Sequence, residues 1–335
     1  MNCISSGAYQ SKNVLVTGGS GFIGSHLTDR LVAAGARVTI IDDLSTGDTD
    51  NIADHLESGA VNFIHSTVSQ CDRFSQRVAE ADIVIHLAAA VGVDLVVNSP
   101  VRTIHNNLKE TEAVFEAAVA RKTPVLMAST SEVYGKSSGH EFSETDDLLI
   151  GPPHLGRWSY ACSKLMDEFM AMAYAQEFSL PVRIVRFFNT VGPRQTGRFG
   201  MVIPRFVHAA LNAKPIRVFG DGRQSRCFCH VHDSVEAVLR LMEAPKANGE
   251  VVNIGSTCEI SIIELAHRVI KVLDSPSSVE LIPYDEAYRQ GFQDMQRRKP
   301  SIDKLFSLTG FKPSIDLDTI IRDTAAFLSS HKNKS

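Results

Sequence analysis

The chain is short of the features that mark whole classes of protein. It has no apolar run of membrane-spanning length, so no membrane partner is expected. Met1 to Lys12 is polar and lacks an apolar core, which excludes a secretory signal there and leaves a disordered leader, 1–12, as the expectation. Positive charge is not in excess. Against 38 Asp and Glu stand 34 Lys and Arg, a net charge of -4, whereas a general nucleic-acid surface needs clustered cations to hold phosphates. Cysteine is sparse, and its 6 residues (Cys3, Cys71, Cys162, Cys227, Cys229 and Cys258) form no Cys-x-x-Cys pair. They read as buried, reduced thiols of a cytoplasmic protein. Cys227 and Cys229 alternate along an expected strand, Arg226 to His230, and would share one face. His230 and His232 lack a matching ligand set, so no metal is expected. No internal repeat or low-complexity tract interrupts the chain.

What is present is ordinary in bulk and specific in pattern. A chain of 335 residues, 44% hydrophobic and 21% charged, suits one large α/β domain plus a smaller lobe. Asn13–Thr17, Arg37–Ile41, Val61–Ile64, Asp82–His86, Pro124–Ala128 and Pro181–Val185 are continuous apolar runs separated by helical patterns. Strands apolar on both faces belong to a parallel sheet covered by helices on each side, a doubly wound Rossmann fold. After Asn189 the texture changes, with Gly, Pro and Arg dense in 192–198 and 219–222. The expected division is a nucleotide-binding domain of 13–189 and 227–259 and a smaller mixed lobe of 190–226 and 260–335.

Thr17-Gly-Gly-Ser-Gly-Phe-Ile-Gly24 places Gly18, Gly21 and Gly24 between an expected strand and an expected helix. In that context glycines allow a tight turn and close backbone approach, with Phe22 and Ile23 opening the helix whose N-terminus receives a pyrophosphate. Asp42, with Asp43 beside it, ends the second strand, where a carboxylate accepts adenosine ribose hydroxyls and repels a 2′-phosphate. The cofactor expected is therefore NAD. Leu87, Ala88 and Ala89 after the fourth strand are small enough to let a nicotinamide ribose approach. Tyr160 and Lys164, four apart, share one face of a helix expected to run to about Phe178. An ammonium beside a phenol would lower the tyrosine pKa and let it take an alcohol proton as hydride leaves the same carbon.

Over nearly its whole length the chain resembles the extended short-chain dehydrogenase/reductases that act on nucleotide sugars as epimerases, dehydratases or decarboxylases. The resemblance implies Thr130, Tyr160 and Lys164 as the catalytic hydroxyl, base and lysine, and Asn107 on the cofactor side. It implies Asn189 and Arg226 at the substrate diphosphate, Phe219 on the nucleobase, and Gln195 and Val202 lining the pocket. Thr67-Val68 stand where the family commonly has an acidic residue facing adenine, and Glu110 replaces a usual glycine. A homodimer is implied too: the helix of Tyr160 is apolar on more than one side (Leu165, Met166, Phe169, Met170, Met172, Tyr174), one stripe covers the sheet, and the remainder pairs with the helix of about Val101 to Ala120 across a two-fold axis.

Every member of this group first oxidises the sugar at C4, and neighbouring groups decide the next step. A 4,6-dehydratase typically carries Asp-Glu where this chain has Ser131-Glu132. That pair instead resembles UDP-glucuronate decarboxylases, as do Gly151–Tyr160 and Gly291–Ser301. Arg298 matches the arginine that serves decarboxylation, and a guanidinium can anchor a planar carboxylate through two parallel hydrogen bonds. The first expectation is decarboxylation of UDP-glucuronate. The alternative is 4-epimerisation of a UDP-hexose or UDP-hexuronate, with Arg298 on the diphosphate, and a 4,6-dehydratase stands behind it. Outside enzymes, a non-catalytic dinucleotide sensor would normally lack the tyrosine or lysine, and this chain has both.

Overall fold

The computed structural model describes residues 7–89, 99–137, 139–195, 201–283, 295 and 297–331. Strand β1 (Asn13–Thr17) runs into the helix Phe22–Ala33, followed by β2 (Arg37–Asp42), β3 (Val61–His65) and β4 (Ile83–His86). Next come β5 (Val125–Thr130), β6 (Val182–Phe187), β7 (Thr190–Val191), β8 (Ile216–Phe219), β9 (Ser225–Cys227) and β10 (Cys229–His230). β11 (Glu250–Ile254), β12 (Glu259–Ser261) and β13 (Val279–Ile282) complete the set. Seven of them make one sheet in the order β11-β6-β5-β4-β1-β2-β3, and every pairing in it is parallel. This is the Rossmann arrangement the apolar runs predicted.

Alternation along β1 shows why both sides of each strand are apolar. Val14 and Val16 enter one core with Leu27, Leu31, Ile40 and Ile85. Leu15 enters the opposite core with Val84, Phe115, Met127 and Ile184. Strand order reverses between β1 and β4, and the turns after those two strands open a cleft at their carboxyl ends. A third core gathers the helices Val202–Leu211, Ile262–Val272 and Leu317–Ser330 around Phe206, Val218, Leu265 and Ile321.

Several expectations change in detail. Residues 7–12 of the expected leader are ordered: Tyr9 is buried in the first core and its hydroxyl donates to Leu239 O at 2.8 Å. Residues 1–6 lie outside the described residues. The strand expected over Arg226–His230 is two strands broken at Phe228. β9 pairs antiparallel with β12, whereas β10 pairs parallel with β7. Cys162 and Cys258 are exposed, and Cys71, Cys227 and Cys229 are buried. The span 260–335 is not uniform, because Ile302 and Leu305 pack in the first core with Val14 and Val235.

Candidate active site

The glycine turn is set by space as much as by torsion. Gly18 has φ +73°, and a Cβ at Gly24 would lie 2.0 Å from the Gly18 carbonyl oxygen. The helix can start against β1 only if that carbon is absent. Gly24→Ala is therefore expected to displace the turn and to weaken NAD binding about tenfold or more, from an overpacking cost of about 1–3 kcal/mol. Titration of the purified protein with NAD checks this.

Asp42 sits at the end of β2 as expected, and its carboxylate is already at work. Oδ2 accepts Ser20 N–H and Oδ1 accepts Leu44 N–H, each at 2.9 Å, tying the glycine turn to the second strand. Burial pushes its pKa up while those amides oppose the shift. Asp43 is exposed and accepts Ser45 N–H. Thr67 Oγ1 is buried with no hydrogen-bond partner among the described residues, the unmet valence that an adenine edge would fill. Val68 beside it is buried in the second core. Glu110 faces the turn after β3. Its carboxylate takes Ser69 N–H at 2.8 Å and Ser69 O–H at 2.7 Å, pinning the turn that carries Thr67 and Val68. Leu87 N–H bonds Thr17 O and Ala88 N–H bonds Thr17 Oγ1, while Ala89 is half-buried at the end of this described stretch. These residues fit a bound dinucleotide.

Thr130 ends β5 and caps a turn of 3-10 helix over Ser131–Tyr134, its Oγ1 accepting Glu132 N–H at 3.2 Å. The cap carries Ser131 and Glu132 beyond the carboxyl end of β5. Tyr160 opens the helix Trp158–Phe178 and bonds the Thr130 hydroxyl, so the two residues expected to work together do meet. Asn107 donates to Ser163 Oγ at 3.1 Å, and Ser163 donates to Tyr160 O at 2.9 Å, fixing the start of that helix from its neighbour.

Arg298 comes in from the C-terminal segment. Its Nε donates to Ser131 Oγ at 2.9 Å and its Nη1 lies 2.7 Å from Glu132 Oε1. Arg157 Nη2 approaches Glu132 Oε2 at 3.5 Å, and the charge of Arg226 reaches the same carboxylate. Burial alone would raise the Glu132 pKa. Arg298, Arg157 and Arg226 overcome it and hold the group below its ordinary value, hence ionised.

The lysine departs from expectation. Lys164 Nζ is bound to Asp167 Oδ2 at 2.7 Å, both side chains buried. The Tyr160 phenol is pushed up rather than down, by burial first and then by the charges of Glu132 and Asp167, with Arg298 opposing. Asp167 cancels the charge that was expected to lower it.

Asn189 donates to Cys227 O at 2.9 Å and accepts Cys229 N–H, bridging β9 and β10. Arg226 is buried and bonds Ser225 O at 2.7 Å. Gln195 donates to Thr190 O, and its Oε1 is buried without a partner among the described residues. Val202 begins the helix Val202–Leu211. Phe219 ends β8 with the Arg205 guanidinium 4.4 Å over its ring. Arg157 and Asp167 went unassigned in the sequence. Their signals were spacing: an arginine three residues before the tyrosine, and a carboxylate three residues after the lysine on one helix face.

This fold, with a glycine turn facing an acid-ended second strand and a Thr-Tyr-Lys set at its edge, agrees with the comparisons. The sequence matches the NAD dependent epimerase/dehydratase family over residues 14–255. The chain belongs to that family. It is accordingly an NAD-dependent enzyme. It is 39% identical, over 96% of its length and 99% of the relative's, to a UDP-N-acetyl-alpha-D-glucosaminuronate decarboxylase of Bacillus cytotoxicus. To UDP-glucuronic acid decarboxylase 2 of Arabidopsis thaliana it is 36% identical, over 91% of this chain and 65% of that one. Among solved structures, UDP-glucuronic acid 4-epimerase from Bacillus cereus, in complex with UDP-glucuronic acid and NAD, superposes with a TM-score of 0.84. Identity there is 29%, over 95% of this chain and 99% of the other. In the described residues no helix is long and apolar enough to cross a membrane.

Proposed function

We propose that this enzyme decarboxylates a UDP-linked hexuronate through a 4-keto intermediate. One observation carries the reading: Arg298 and Arg157 both reach the single carboxylate of Glu132, near Tyr160, and the charge of Arg226 acts on it as well. More cationic than anionic charge suits a sugar that brings its own carboxylate, and a bidentate guanidinium suits a planar one. The Bacillus cytotoxicus and Arabidopsis relatives carry decarboxylase names for UDP-linked uronates, which supports the same conclusion.

In this reading Asn189, Gln195, Val202, Phe219 and Arg226 hold the UDP portion. Thr130 orients the C4 hydroxyl and Tyr160 accepts its proton. NAD held by the Gly18–Gly24 turn and Asp42 would supply the hydride acceptor for C4. The new ketone stands β to the C6 carboxylate, so the C5–C6 bond can break, its electron pair moving onto the C4 oxygen as an enolate while carbon dioxide leaves. Arg298 anchors the carboxylate beforehand and its charge stabilises the enolate afterwards. Ser131 and Glu132 fix the guanidinium, and the ionised Glu132 is not the proton donor to C5. A proton taken from water at C5 restores the C4 ketone, and return of the hydride to C4, with the proton held by Tyr160 going back to the C4 oxygen, gives the UDP-pentose. The setting would be the cytoplasm.

Incubation with UDP-glucuronate, UDP-N-acetylglucosaminuronate, UDP-glucose and UDP-N-acetylglucosamine, followed by mass spectrometry and proton NMR, tests the reading. Loss of the mass of carbon dioxide from either uronate is the expected result. Unchanged mass with inverted C4 would establish the epimerase alternative, and dehydration of UDP-glucose would establish a dehydratase.

The reading includes a homodimer. Met166 and Phe169 on the helix Trp158–Phe178 are 53% and 65% exposed, and Val101 on the helix Pro100–Val119 is 79% exposed. Met170 and Tyr174 belong to the other stripe of that helix, which packs inward on the second core. The exposed residues form an apolar face on two packed helices, and a second copy would cover it. Phe169→Glu is expected to give a monomer by light scattering where the unaltered protein gives a dimer.

A further inference from the structure

A buried polar line runs behind the active site, and the proposed reaction does not use it. Asp167 has lost water altogether, and a buried carboxylate costs several kcal/mol unless it is held. Lys164 satisfies Oδ2 at 2.7 Å. Oδ1 is buried without a hydrogen-bond partner among the described residues. Thr111, on the neighbouring helix Pro100–Val119, lies next to the same carboxylate and opposes the upward push of burial on its pKa.

The line continues from Thr111. Its Oγ1 lies 3.3 Å from His86 Nε2, and His86 Nδ1 lies 2.7 Å from Thr17 Oγ1. Thr17 Oγ1 in turn accepts the Ala88 N–H at 3.2 Å. His86 is neutral, because burial first and the Lys164 charge second pull its pKa down to about 3. A neutral imidazole has one donor and one acceptor nitrogen, and the Asp167 end of the line sets which is which. An ionised carboxylate can only accept, so it draws the Thr111 proton towards itself. Thr111 Oγ1 is then the acceptor of Nε2–H, and Nδ1 accepts the Thr17 hydroxyl. Ala88 also touches the glycine turn, since a Cβ on Gly18 would lie 2.8 Å from its nitrogen. The line joins the wall of the dinucleotide cleft to the proton-transfer pair.

We propose that Asp167 is a positioning residue that gathers the Lys164 ammonium and the line from Ala88 onto one buried carboxylate, so that the dinucleotide cleft and the orientation of Lys164 are set together. This rests on the proposed role of Tyr160 and on the place beside it expected for Lys164 from the sequence. The charged groups in play are Lys164 and Glu168 on the same helix, with Glu132 and Arg298 acting on Tyr160 from the opposite side.

Asp167→Asn keeps the shape and removes the charge. The first-turnover reduction of NAD by sugar nucleotide, followed by absorbance, is expected to slow about tenfold or more, part of the ~10²–10⁴ that a positioned proton-transfer group supplies. Its ascending pH limb is expected to move to lower pH, because the phenol loses an unfavourable neighbour. NAD affinity, measured by calorimetry with no sugar present, is expected to weaken several-fold in Asp167→Asn and in Thr111→Val, and to be restored in Thr111→Ser. An unmoved pH limb together with unchanged NAD affinity overturns the proposal. If Asp167→Asn does not fold, the Thr111→Val and Thr111→Ser pair decides the question by NAD affinity. Tyr160→Phe retaining first-turnover hydride transfer would instead overturn the underlying reading, while leaving the affinity results to judge the line.

Discussion

Arg298→Ala is expected to separate the two halves of the reaction. Arg298 is held by Ser131 Oγ and Glu132 Oε1 at 2.9 and 2.7 Å, not by the elements that carry Asn189 and Phe219. Its charge should matter after C4 is oxidised, when an electron pair must move onto the C4 oxygen. Removal of one such electrostatic group typically costs about 10²–10³ in rate. Product formation from a UDP-uronate should fall by about that factor, while the reduced nicotinamide absorbance rises and stays, since the 4-keto sugar has nowhere to go. Glu132→Gln should show a milder form of the same pattern, with Arg157 and Arg226 remaining. Were Arg298 a diphosphate ligand instead, its loss would raise KM and depress both steps together, with no accumulation of reduced nicotinamide. Quenched-flow analysis beside the absorbance trace distinguishes the two. A Glu132→Gln variant that lost the first hydride transfer equally would remove Glu132 from the later step.

The same residues show how much of the fold and site is legible in the chain. β1 to β6 are legible because a strand buried on both faces must be a continuous apolar run, and few alternatives produce six of them with helices between. Gly18, Gly21 and Gly24 are legible because their lack of a side chain is itself the signal. The break at Phe228 is not: β9 and β10 differ in partner and direction, and pairing partners are set by tertiary packing, which strand propensity does not encode. Tyr9 gives no warning because one buried aromatic in a polar stretch has no periodicity to announce it. Glu110 is visible as a departure, yet its purpose depends on Ser69, 41 residues away. Asp167 hides behind a common pattern. A carboxylate three residues from a lysine on a helix is most often a solvated pair worth a few tenths of a kcal/mol. Only its burial shows that Lys164 is held by a carboxylate shut away from water.

That arrangement sharpens what Tyr160→Phe should do. With Lys164 on Asp167 and with Glu132 nearby, the phenol is held protonated by its surroundings, and its hydroxyl touches Thr130. A proton acceptor in that position must be brought down by positive charge that arrives with the ligands or by Arg298, so ionisation and substrate binding are expected to be linked. Removing the hydroxyl removes the acceptor and nothing that binds. Tyr160→Phe should therefore lose about 10²–10⁴ in the first hydride transfer, with NAD affinity and UDP affinity unchanged within a factor of about two. Reduced nicotinamide should appear only at that residual rate and should not accumulate, the reverse of the Arg298→Ala result. The pH dependence carries the sign. Because the group works only when deprotonated and its pKa is raised, the first-turnover rate of the unaltered enzyme should climb with pH through the neutral range, and the residual rate of Tyr160→Phe should be flat. A climbing profile that survives in Tyr160→Phe would place the titrating base elsewhere. Glu132 could not supply it, because Arg298, Arg157 and Arg226 keep that carboxylate ionised below the range in which the rate climbs.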